Sequence, residues 1–126
     1  MEVSVLLDSV VLIDHLNGYS AATDYLRSTQ TASISVITRA EVLAGLNTNA
    51  VDRVRKLLDH YATLIIDTET ADLAADLRRT NRWKLPDAFQ AALAQRYSLA
   101  LATRNTRDFP PGKYPFVVIP YTLQQN

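Results

Sequence analysis

The sequence predicts an α/β fold in which helices cover a parallel sheet, and three observations carry that expectation. Short β-branched or aliphatic runs alternate with longer stretches whose apolar residues recur at helical spacing, in the order βααβααβαα(β)β. Strands separated by helices return to one sheet in the same direction. The chain has 126 residues, 48% of them hydrophobic, so it can build one core burying roughly two-thirds of its unfolded surface without staples. A single domain over residues 1–126 is expected.

The elements come in order along the chain. Val3 to Leu7 is an apolar run that reads as a buried strand. Ser9 is positioned to cap a helix over Val10 to Leu16, which Asn17-Gly18 would stop. A second helix covers Ala21 to Arg27, and the alternating Thr31 to Val36 reads as a strand. Ile37 to Leu46 is helical, with Gly45 near its end. Val51, Val54, Leu57 and Leu58 give Ala50 to Tyr61 a helical apolar face. Leu64 to Ile66 reads as a strand, with Asp67 and Thr68 as caps for the next helix. Ala71 to Arg82 is that amphipathic helix, and Pro86 suits the first turn of another that runs to Tyr97. Leu99 to Ala102 and Phe116 to Ile119 are the closing strands. Asp108 to Pro115, with three prolines and Gly112, is the one long irregular piece.

Composition narrows the function. Thirteen basic and thirteen acidic residues give zero formal charge, which argues against a nucleic-acid coat protein but not against a local basic patch. Without cysteine there is no disulfide scaffold, thiolate metal site or cysteine nucleophile. The apolar run Val10 to Ile13 ends at Asp14, far short of the ~20 residues of a membrane span. Glu2 and Asp8 do not suit a secretory signal. A cytoplasmic protein with no membrane partner is expected.

Ligands of open α/β sheets bind beyond the carboxyl ends of the strands, so the acids at those ends matter most. Asp8 ends the first strand, Glu41 follows the second, Asp87 opens the helix before the fourth, and Asp108 follows Thr103-Arg104-Asn105. Converging carboxylates repel and need a cation or protons between them. Oxygen ligands with no cysteine and no suitable histidine pair favour Mg²⁺ or Mn²⁺, whose chemistry suits phosphodiester hydrolysis. Each acid also has a structural reading. Asp8 serves as a helix cap, Glu41 closes a capping box with Thr38, Asp87 complements a helix dipole, and Asp108 is a turn residue.

Four segments resemble PIN-domain ribonucleases, specifically the VapC-type toxins of toxin–antitoxin pairs. They are Leu6-Leu7-Asp8-Ser9-Val10-Val11-Leu12-Ile13-Asp14, Ser33 to Gly45 around Thr38-Arg39-Ala40-Glu41, Leu85-Pro86-Asp87-Ala88-Phe89-Gln90-Ala91-Ala92, and Ala102-Thr103-Arg104-Asn105-Thr106-Arg107-Asp108-Phe109. The resemblance covers essentially the whole chain. It implies a three-layer α/β/α fold with a central parallel sheet of four to five strands. It also implies that Asp8, Glu41 and Asp87 are the metal-binding acids of a Mg²⁺-dependent endoribonuclease, with Mn²⁺ as a substitute. RNA would be cut to 5′-phosphate and 3′-hydroxyl ends. Asp108 or Asn105 fills the fourth acidic place, and Ser9 and Thr103 support the site. The same resemblance implies a homodimer and an antitoxin partner.

RNA needs basic groups beside the acids. Arg79, Arg82, Arg104 and Arg107 are the candidates, against a reading of Arg79 as the partner of Asp72 or Asp76 on a solvated helix face. Trp83 reads as buried or at an interface rather than as a stacking platform, and His15 as packed or at the surface. Two other functions stay open. One is a catalytically weak module that only binds a protein. The other is a phosphoryl-transfer domain with Asp8 as acceptor, which the absence of a second acid at Val10 disfavours.

Overall fold

The computed structural model describes residues 4–29 and 31–123. The expected roles of Glu2 and of Val3 as the first strand residue lie outside them. Five strands, β1 (Val5–Leu7), β2 (Ala32–Ser35), β3 (Ala62–Leu64), β4 (Ala100–Ala102) and β5 (Val117–Val118), form one sheet in the order β3-β2-β1-β4-β5. Every pairing is parallel, and five is the upper end of the expected strand count. Among the described residues six helices connect them: α1 (Ser9–Leu16), α2 (Ser20–Ser28), α3 (Val36–Ala44), α4 (Val51–Leu58), α5 (Thr68–Asn81) and α6 (Leu85–Arg96). The stretch expected as one helix from Ala50 begins instead with a 3-10 turn at Thr48–Ala50.

Side-chain alternation along the strands splits the core in two. Leu6 and Leu101 face one side, where they pack with Ala74 of α5, with Ala88, Ala91 and Leu93 of α6, and with Trp83 and Phe109. Val5, Leu7 and Ala102 face the other, packing with Val11 and Leu12 of α1, Val42 of α3, and Val54 and Leu58 of α4. The result is a three-layer α/β/α arrangement. Helix α6 can lie close to the sheet because most of its buried positions are alanine (Ala88, Ala91, Ala92 and Ala94).

The strand order fixes where a ligand can sit. The chain runs outward from β1 through β2 to β3, then crosses back to place β4 on the other flank of β1. Beyond the carboxyl ends of β1 and β4 the connections diverge, leaving a crevice at this switch point.

Two expected positions move. The third strand is Ala62–Leu64, two residues earlier than expected, with Ser33, Ile34 and Ser35 opposite Ala62, Thr63 and Leu64. It lies at the sheet edge, where Ala62 and Thr63 are exposed, so the more apolar Ile65-Ile66 is not the paired segment. Helix α5 starts at Thr68 rather than Ala71 because the Asp67 carboxylate accepts from the Thr70 amide at 2.9 Å. Among the described residues no helix is long and apolar enough to cross a membrane.

Candidate active site

Asp8, Ser9, Val10, Glu41, Asp87, Arg104, Asn105, Thr106 and Arg107 line one open cavity of about 460 Å³ at the switch point. Residues 33 and 46 positions apart in the chain thus bring three carboxylates to a common wall.

Asp8 is set by the end of β1. Its backbone N–H donates to the carbonyl of Ala102, the last residue of β4, at 3.0 Å, which extends the sheet pairing one residue beyond β1. Its side chain caps α1, Oδ1 accepting from the Ser9 amide at 2.9 Å. The cap is therefore Asp8 and not Ser9, which is the first helical residue. Capping and cavity lining prove compatible, because a carboxylate has lone pairs for both. Thr103 donates its hydroxyl proton to Asp8 Oδ2 at 2.6 Å, and Gln90 Nε2 lies 3.3 Å from Oδ1.

Glu41 reaches the cavity because α3 starts directly after β2. The cap is Ser35, whose Oγ accepts from the Thr38 amide at 3.0 Å. With that amide taken, the expected capping box of Thr38 and Glu41 does not form. The Glu41 carboxyl is instead raised above its ordinary range by desolvation, opposed by a Ser9 hydrogen bond and reinforced by the charge of Asp8.

Asp87 lies in the first turn of α6, as the dipole reading requires, yet a helix dipole would lower its pKa. Burial and the surrounding charges win: its carboxyl is pushed up to about 6, first by desolvation, then by the charges of Asp8 and Asp108, a hydrogen bond with Asp108, and the charge of Glu41. Asp108 is fixed beside it by Asn105, whose Nδ2 donates to Asp108 Oδ2 at 3.0 Å while its Oδ1 accepts from the Asp108 amide at 3.4 Å. Asn105 lines the cavity and Asp108 faces Asp87, so the two candidates for the fourth place form one pair.

Among the described residues no three Asp, Glu or His stand close enough together to hold an ion as placed. The chemistry of the wall nonetheless fits a hard cation. All the donors are oxygens, and burial together with the neighbouring negative charges already raises the Glu41 and Asp87 carboxyls.

Beneath the acids runs a buried polar chain that sequence reasoning missed. Gln90 Nε2 donates to Thr38 Oγ1 at 2.7 Å, and Thr38 donates its hydroxyl to the Leu7 carbonyl at 3.2 Å. Gln90 Oε1 is buried without a partner. Its signal in the sequence was a lone amide within the alanine-rich face of α6. Asp14 was also missed: although 3% exposed, it accepts from Arg104 Nε at 2.8 Å, from Arg104 Nη2 at 2.9 Å and from the Tyr121 hydroxyl at 2.7 Å. The signal was an acid closing an apolar helical run.

The four arginines divide. Arg104 and Arg107 line the cavity, Arg104 with its fork locked on Asp14. Arg79 pairs with Asp76 on the exposed face of α5, and Arg82 is exposed at the left-handed residue that ends α5. Neither lines the cavity. Trp83 is buried at 3% exposure, its ring tilted 45° against that of Phe109 with centroids 4.9 Å apart, and its Nε1 donates to the Asp108 carbonyl at 3.0 Å. It thus steadies the loop that carries Asp108. His15 is packed against Thr23 through Nδ1 at 2.7 Å.

Comparison with known proteins meets this geometry. Residues 5–110 match the family model of the PIN domain. Ribonuclease VapC10 of Mycobacterium tuberculosis is 39% identical over 125 residues, covering 90% of this chain and 94% of that protein. A solved toxin–antitoxin complex from Klebsiella pneumoniae superposes with a TM-score of 0.88 at 36% identity, over 94% of this chain and 99% of that one. The FitAcB structure from Neisseria gonorrhoeae superposes with a TM-score of 0.70 at 26% identity, over 83% and 90% of the two chains. Likeness spans nine-tenths or more of each relative and not an isolated motif, so this chain belongs to the PIN-domain family and, within it, to the VapC type.

Proposed function

We propose that this protein is a divalent-metal-dependent endoribonuclease and the toxin of a toxin–antitoxin pair, acting in the cytoplasm as a homodimer of single-domain chains. The observation that carries the reading is the convergence of Asp8, Glu41 and Asp87 on one cavity, with the Asp87 carboxyl held at about 6 by burial and by its acidic neighbours. Such a wall destabilises the fold unless something cationic fills it. Asp8, Glu41 and Asp87 would hold Mg²⁺ or Mn²⁺, with Asn105 and Asp108 as the fourth corner. When bound, the ion supplies charge neutralisation at the phosphate and a water of lowered pKa. Thr103, Gln90 and the Ser9 amide hold Asp8 in one orientation. Arg104 and Arg107 give the phosphate backbone a basic approach to an otherwise acidic cavity. Hydrolysis then yields 5′-phosphate and 3′-hydroxyl ends. An antitoxin basic side chain entering the same cavity would neutralise it, a fit to the inhibitory partner of such a pair.

The test is cleavage of RNA with Mg²⁺ or Mn²⁺. Wild type cuts, while Asp8→Asn and Asp87→Asn lose at least about a hundredfold in rate, in the range expected for removing charge stabilisation of a transition state. Equal cutting by all three sinks the assignment of these acids. Labile acyl phosphate on Asp8 would favour the phosphoryl-acceptor reading instead.

A further inference from the structure

We propose that a second cavity, adjoining the acidic one, takes the base of a nucleotide flanking the scissile phosphate in single-stranded RNA. The proposal rests on the ribonuclease reading above. The second cavity measures about 420 Å³, and its walls include Tyr19, Arg104, Thr106, Ile119, Tyr121 and Thr122. That volume lies within the range of small-ligand clefts. Arg104 and Thr106 line both cavities, so a strand whose phosphate lies at the acids can reach the second cavity with its neighbouring nucleotide.

The two cavities differ in chemistry as a phosphate and a base differ. The first carries three acids. Among the described residues the second is lined by no acid or lysine, but by two tyrosine rings, two threonines, aliphatic groups and one guanidinium. Tyr121 is a fixed wall: its hydroxyl donates to Asp14 at 2.7 Å, and its ring lies 6.3 Å from that of Tyr25. Arg104 is equally fixed, since Nε and Nη2 both donate to the buried Asp14. Its Nη1 makes no hydrogen bond among the described residues and is left to a phosphate or a base edge. Tyr19 is different. It is 47% exposed, stands before the first turn of α2, and makes no side-chain capping bond. An exposed ring beside a rigid arginine is a stacking platform, and base stacking on an aromatic face tolerates any base while favouring the larger ones.

The experiment uses the full chain and a fluorescent single-stranded RNA oligonucleotide. Binding is measured in the Asp87→Asn background, where the RNA stays intact, and cut positions are sequenced with otherwise wild-type protein and Mg²⁺. Tyr19→Ala is expected to weaken RNA binding about tenfold, the scale of one lost base stack, and to flatten the base preference at one position beside the cut. Tyr19→Phe and Tyr19→Trp retain both. Tyr97→Ala, which removes another exposed tyrosine at the far end of α6, serves as the matched control and binds like wild type. Melting curves confirm that each variant is folded. If Tyr19→Ala binds and cuts like the Tyr97→Ala control while wild type cuts RNA, the subsite is wrong and the ribonuclease reading stands. If wild type itself cuts no RNA, the ribonuclease reading falls and takes the subsite with it. Loss of binding to an antitoxin with RNA binding intact would make the cavity a protein-docking site and also overturn the proposal.

Discussion

A carboxyl group among three others titrates unlike one in water, and Asp87 makes that measurable. Its folded pKa is about 6 against an ordinary value of 3.8. Between those values the folded protein keeps a proton that the unfolded chain has released. This group therefore favours the metal-free fold at low pH, and the benefit disappears as pH rises through about 6. Asp67 works in the opposite direction, since Arg96 and Thr70 hold its carboxyl well below the usual range. The overall pH–stability curve mixes the two, whereas the difference between wild type and Asp87→Asn isolates the first. With metal chelated at pH 7, Asp87→Asn is expected to be more stable than wild type by about 1 kcal/mol, a figure discounted for solvent screening of a half-buried group. The gap should close as pH falls from 6 to 4. Urea denaturation at several pH values measures it, and a variant less stable than wild type at pH 7 would show that Asp87 is not strained by its neighbours.

Single side chains also tie whole elements together, and there the legibility of the sequence was uneven. Helix α6 was readable to within a residue, because Pro86 marks its first turn and its apolar face is long. Strand β3 was displaced because an edge strand with two exposed residues carries no apolar signal stronger than the Ile65-Ile66 pair beside it. Asp8, Glu41 and Asp87 were readable as strand-end acids. Choosing between cap and site for Glu41 was not possible, since that depends on Ser35 capping α3 three residues ahead of Thr38. Gln90 was invisible for a related reason: only the folded chain shows that this one amide joins α6 to Thr38 on α3 and to Asp8 at the end of β1. Gln90→Met keeps the volume, removes the orphaned Oε1 and deletes both donated bonds. Losing an unsatisfied buried group offsets the lost bonds, so thermal stability should change by less than about 1 kcal/mol. The Asp8 carboxylate loses one of its three restraints, so Mn²⁺ affinity measured by calorimetry should fall several-fold. A large loss of stability with metal affinity unchanged would assign Gln90 to packing alone.

At the scale of the whole molecule, zero formal charge hides a sharp separation. The crevice where the strand order reverses gathers Asp8, Glu41 and Asp87, and the basic groups on its rim are Arg104 and Arg107. Arg104 is half committed to Asp14, which leaves the cavity short of positive charge. The fold thus carries an electrostatic penalty that only an added cation or protons can relieve. A cation that binds the folded chain and not the unfolded one adds stability by mass action, about 2.7 kcal/mol at a hundred times its dissociation constant. In a chain of this size each kcal/mol moves the melting temperature by about 3–5 °C. Saturating Mn²⁺ should therefore raise the melting temperature of wild type on the order of 10 °C. The same addition should do little to a double Asp8→Asn, Asp87→Asn variant, whose cavity is already relieved. The shift in wild type should also grow between pH 5 and pH 7, because the ion must displace the proton that Asp87 holds below about 6. Differential scanning calorimetry of both proteins across that range reads all three effects at once. Equal shifts in the two proteins, or a shift independent of pH, would place the binding ion somewhere other than this crevice.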